Sequence, residues 1–97
     1  MDKEYMLLSL RRRRKVLERR YTNACRNLDD EGNAITYSCA CAVRTKTKYD
    51  LQLLNLIEQL LMTCRAVMIE DEDAIDGFHR LVEPQERFRN KRGRNED

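Results

Sequence analysis

In the first third of the chain, apolar positions fall at Leu7, Leu10, Leu17, Tyr21, Ala24 and Leu28, with Arg14 as the one polar member of the series. The steps alternate between three and four residues, which lines one face of a helix over three heptads. No glycine or proline interrupts residues 3–28, so the spacing predicts one helix there, ~40 Å long at ~1.5 Å per residue. Asp2 stands where a capping side chain is wanted, and Asp2 and Glu4 suit the positive end of the helix dipole. The run Asp29-Asp30-Glu31-Gly32-Asn33 reads as the stop, because Gly32 can take the left-handed conformation that closes a helix.

Residues 34–46 carry two patterns at once. Ile35, Tyr37, Cys39, Cys41 and Val43 alternate with smaller or polar residues, as in a strand. Ile35, Cys39, Ala42, Val43 and Lys46 also share a helical face. A lone strand leaves its backbone groups unpaired unless another chain supplies an edge. Helix is therefore the expectation, with a strand added to a partner's sheet as the alternative. From 48 to 69 the helical signal is strong: Leu53, Ile57, Leu60, Cys64 and Val67 form one stripe, Leu54, Leu61 and Met68 a second, and Leu56 widens the face again. Thr47-Lys48-Tyr49-Asp50 resembles a capping box, which would start a fresh helix or sit inside a longer one. The acids Glu70-Asp71-Glu72-Asp73 belong at the start of a third helix, at 72–83, capped by Asp71 or Asp73. Ala74, Ile75, Phe78, Leu81 and Val82 form its apolar side and Pro84 its stop. From Gln85 the chain is polar and charged.

These elements predict an all-α fold: a long antiparallel, coiled-coil-like helical hairpin, a short third helix and a disordered charged tail. The division is an interaction domain at 1–83 and a tail at 84–97. The short turn implies an antiparallel hairpin, in which Leu28, Ala24 and Tyr21 would meet Ile35, Cys39 and Val43. The second helix is expected to reach 69. A two-helix hairpin cannot cover Leu53, Leu54, Leu56, Ile57, Leu60 and Leu61 at once, and each fully buried leucine is worth about 1.5–3 kcal/mol. Apolar area left wet in this way marks an interface.

Composition narrows the chemistry. The 97 residues are 37% charged and 41% apolar, and Leu, Ile, Val and Phe number 22, enough for one thin core. No 18-residue apolar run offers a membrane span, and the opening Met-Asp-Lys-Glu-Tyr is not expected to be a secretory leader. Cys25, Cys39, Cys41 and Cys64 are expected to stay reduced, with Cys25 and Cys64 as small core residues. A zinc site needs ligand pairs two to four residues apart, whereas only Cys39 and Cys41 are paired, one residue apart, and His79 is a lone histidine. No metal, cofactor or small-molecule substrate is expected. The acidic run 70–73 lacks the spacing of a calcium loop. Three glycines and one histidine supply no phosphate loop and no positioned base, so no catalytic residue is named.

The net charge of +2 hides segregation. Residues 1–30 hold nine bases and five acids, 31–69 four and three, and 70–97 six and nine. The basic cluster Arg11, Arg12, Arg13, Arg14, Lys15, Arg19 and Arg20 has three uses: a solvated or partner-facing surface, a nuclear-import signal, or a nucleic-acid contact. Arg12, Arg19 and Arg26 form a stripe beside the apolar seam. Arg87, Arg89, Lys91, Arg92 and Arg94 form a second cluster in the tail. A near-neutral total is unlike a dedicated nucleic-acid binder. The expected function is a non-enzymatic helical interaction or scaffold subunit, intracellular and nuclear. It would dock as a homodimer or on a protein partner in a larger complex through Leu53, Leu54, Leu56, Ile57, Leu60, Leu61 and Cys64. The alternative is nucleic-acid binding by the arginine-rich helix 11–20 and the basic tail.

Overall fold

Leu10, Leu17 and Ala24 are enclosed at 0%, 1% and 0% exposure, and they stand seven residues apart. Ala40, Thr47, Leu54 and Leu61 are enclosed as well, again at steps of seven. These two series face each other in the computed structural model, which describes residues 1–83. The first lies on α1 (Lys3–Cys25) and the second on α2 (Tyr37–Thr63), packed as a hairpin. A short α3 (Glu72–Val82) completes an all-helical fold. The expected disordered tail lies outside the described residues.

α1 is the hub. α2 packs along it and α3 packs on it, while the backbones of α2 and α3 do not approach each other. Met6, Leu7, Leu10, Leu17, Leu54, Leu61, Phe78 and Val82 form one cluster, with Leu51, Ile57, Val67 and Ile69 half-buried against it. At the turn end the enclosed residues are Ala24 and Ala40, and small side chains there let the helices converge.

Each helix start is capped as its sequence allows. Asp2 accepts from the Tyr5 N–H at 2.9 Å, Thr36 from the Cys39 N–H at 3.1 Å and Asp71 from the Ala74 N–H at 2.9 Å. Glu72 and Asp73 occupy the first turn of α3 and His79 and Arg80 its last, in line with the dipole.

Several boundaries differ from the sequence expectation. α1 stops at Cys25 rather than 28 because Asn27 takes a left-handed φ of 59°. Leu28 N–H then donates to Asn23 O at 2.8 Å and Asn27 N–H to Ala24 O at 3.0 Å, the paired bonds of a Schellman ending. Gly32, at φ 88°, serves the following turn instead, where its N–H donates to Asp29 O at 3.0 Å. Asp29 organises that turn, its carboxylate accepting from the Glu31 and Asn33 amides at 3.0 and 2.8 Å. Residues 34–46 are helical from Tyr37 onward, so the strand alternative falls. Thr47 sits buried in mid-helix and does not begin one. The face toward α1 also differs by one position: Ala40 is buried and Cys39 exposed. Cys25 and Cys64, expected in the core, are both exposed, and all four thiols are free.

α2 ends at Thr63, not 69, with the Lys3 ammonium donating to Cys64 O at 2.6 Å. The chain then turns back under the start of α1. Ile69 N–H donates to Met1 O and the Met1 amine to Ile69 O, both at 2.9 Å. This clamp delivers α3 to the N-terminal half of α1, where Phe78 and Val82 are buried and Tyr5 Oη lies 3.0 Å from His79 Nε2.

The two leucine stripes of α2 should therefore respond differently to truncation. Leu54→Ala is expected to cost about 2–5 kcal/mol, whereas Leu53→Ala should cost under about 1 kcal/mol. Urea unfolding followed by circular dichroism at sub-micromolar protein measures both.

Candidate functional site

The seven apolar residues expected to dock divide into two groups. Leu54 and Leu61 are consumed by the hairpin core, at 2% and 7% exposure, and Ile57 is half-buried at its edge. Leu53, Leu56 and Leu60 remain 43%, 54% and 57% exposed, and Cys64 is exposed beyond the helix end. The exposed set extends to Tyr49, at 73%. Tyr49, Leu53, Leu56 and Leu60 are spaced four, three and four residues apart. At ~100° per residue this line lies about 130° round the helix from the stripe that faces α1. Tyr49 is the member that the sequence reading left out, although the 4-3-4 spacing marks it. Flanking this line are Thr45, Gln52, Gln59 and Thr63 on one side and Lys46, paired with Asp50 at 3.0 Å, on the other.

The basic cluster is divided as well. Glu58, at 17% side-chain exposure, lies between Arg11 and Arg14. It accepts from Arg11 Nε at 3.1 Å and pairs with the Arg14 guanidinium, which is itself only 28% exposed. This explains how an arginine occupies an apolar series: its head is neutralised from α2 while its stem covers the core. Arg20 donates to both oxygens of Asp30 at 3.0–3.2 Å and braces the turn, and Arg13 is half-buried with contacts of its own. Arg11 is exposed even in its pair with Glu58, and Arg12, Lys15 and Arg19 are exposed as well, with Arg26 beyond them toward the C-terminal end of α1. The tail cluster lies outside the described residues.

Among the described residues no three His, Cys, Asp or Glu side chains converge as a metal site, and no helix is long and apolar enough to cross a membrane. His79 reaches Tyr5 and stacks obliquely on Phe78 rather than meeting a thiol. No protein-family model matches the chain, and no curated protein or solved structure matches it either.

The Arg14–Glu58 pair yields an asymmetric expectation. Glu58→Ala strands a half-buried guanidinium and should cost about 1–3 kcal/mol, while Arg14→Met should be neutral or stabilising. Thermal and urea melts of the two variants test this.

Proposed function

We propose that this chain is a non-enzymatic docking module that presents the outer face of α2 to another helix. The observation that carries the reading is the line Tyr49, Leu53, Leu56 and Leu60, held open by a helix whose other apolar stripe is already used. α2 has α1 on one side only. The three leucines retain about half of their exposure, so covering them would regain roughly half of the ~1.5–3 kcal/mol that each full burial is worth. The spacing suits helix-on-helix packing, in which residues three and four apart meet the groove of a facing helix.

The thermodynamic logic favours docking over fold maintenance. Substituting these positions with polar residues removes nothing from the hairpin core, so the fold does not require them to be apolar. The basic cluster supports the nucleic-acid alternative less well, because Arg11, Arg14 and Arg20 are committed to Glu58 and Asp30. Three or four exposed cations on one helix leave a short electrostatic footprint.

A photo-crosslinking amino acid placed at Leu56 should capture a second polypeptide, either in the purified protein or in cell extract, and the same group at Leu54 should react only within the chain. Leu53→Asp combined with Leu60→Asp should abolish that capture while retaining the helical circular dichroism. Replacing Arg12, Lys15 and Arg19 with Gln should leave it intact. Undiminished capture by the double aspartate variant would sink the reading.

A further inference from the structure

We infer that the occupant of this face is a second copy of the same chain, docked antiparallel through α2. The inference rests on the docking reading above and names its partner. The first observation is the spacing itself. The steps from Tyr49 to Leu60 are four, three and four, which read the same in either direction. A copy running the opposite way therefore places Tyr49 level with Leu60 of the other chain and Leu53 level with its Leu56. The apolar positions of the face all find apolar positions, and the arrangement closes under a two-fold axis between residues 54 and 55, as the commonest homodimers do.

Charge points the same way. Between 51 and 63 the only ionisable side chain on α2 is Glu58, and the pairs with Arg11 and Arg14 hold it on the α1 side. The flank formed by Thr45, Gln52, Gln59 and Thr63 consists of hydroxyls and amides, which donate and accept equally and so suit a copy of themselves. Within 51–63 a different, charged partner would find no charge to pair with on this face, Lys46 and Lys48 lying before that stretch. The same two-fold axis sets Lys46, which is paired with Asp50 of its own helix, level with Thr63 of the other chain and one residue from its Cys64, where no like charge faces it. A parallel pair would instead set Lys46 beside Lys46. Avoidance of like charges thus favours the antiparallel direction, and the uncharged stretch between 51 and 63 suits a copy of itself.

The extent of the face sets the strength. Four apolar side chains with a polar flank fall short of the ~800 Å² per partner of a standard stable interface, so the dimer should dissociate in the micromolar range.

Light scattering of the purified chain across sub-micromolar to high-micromolar concentration tests this first. The expected result is a rise from one 11.6 kDa chain to two, abolished by Leu53→Glu with Leu60→Glu, a pair chosen because glutamate preserves helix propensity. Direction is read with Lys46→Cys. Mild oxidation should then link the introduced thiol to native Cys64 of the other chain, as identified by peptide mass spectrometry. Adding Cys64→Ser should remove that link. A monomer at all concentrations overturns the second copy, and leaves the docking reading to the Leu56 crosslink in extract. A dimer that survives Leu53→Glu with Leu60→Glu overturns both. A dimer linked through position 46 to position 46, or through Cys64 to Cys64, overturns the antiparallel arrangement.

Discussion

α1 has one apolar stripe, and every other element is placed by having to reach it. Leu10, Leu17 and Ala24 are sealed from water, but α1 alone could not seal them, and neither could α2 or α3 separately. α2 lies along the stripe, and α3 joins the same cluster through Phe78 and Val82, with His79 against Tyr5 near the N-terminus of α1. Since α2 and α3 both pack on α1 and their backbones do not approach each other, the core stays thin and the far side of α2 stays open. A larger protein would close that side with another layer of its own chain.

α2 has two leucine stripes and must give one of them to α1. Followed toward the turn, the series through Leu61 and Leu54 continues to Thr47 and Ala40, which are smaller and both buried. The series through Leu60 and Leu53 continues to Lys46 and Cys39. Burying it would bring a lysine into a seam already holding Arg14, at a steep desolvation cost. The choice between two stripes of equal leucine content is thus made at the other end of the helix, by Thr47 against Lys46. The stripe that loses remains on the surface, and its exposure follows from this competition.

The sequence reads well wherever a local rule decides. The existence of the three helices and the hairpin followed from 3.6-residue periodicity and a short turn. The caps at Asp2 and Asp71, and the placing of the acidic run at the start of α3, followed from capping and dipole rules. It reads poorly where two equally good local signals compete. Asn27 and Gly32 can both adopt a left-handed backbone, and the first one met ends α1. Cys39 and Ala40 both suit an apolar face, and the smaller is buried. The fold-back of residues 67–69 onto Met1 is a pairing between distant backbone groups, and backbone pairing of this kind leaves no mark in side-chain pattern. Tyr49 was legible as part of the outer face, since its spacing to Leu53 is helical, but the stripe through Ile57 and Cys64 shares Leu53 and Leu60 with it and competes for the same helical register.

The arginine run shows why charge density along a sequence is a poor guide to charge on a surface. Consecutive residues on a helix point in all directions, so a run of five is distributed round the whole circumference. In α1 the inward Arg14 needed a counter-ion before the core could close, and Glu58 supplies one carboxylate to it and to the exposed Arg11. Asp30 takes Arg20 at the turn. The Glu58 pairs tie α1 to α2 across the hairpin, so they bias its register as well as neutralise charge. They also take Glu58 away from the outer face of α2, leaving it apolar at its centre and uncharged along its glutamine flank. The same ion pairs that seat α1 against α2 therefore hold the single charge of residues 51–63 on the α1 side.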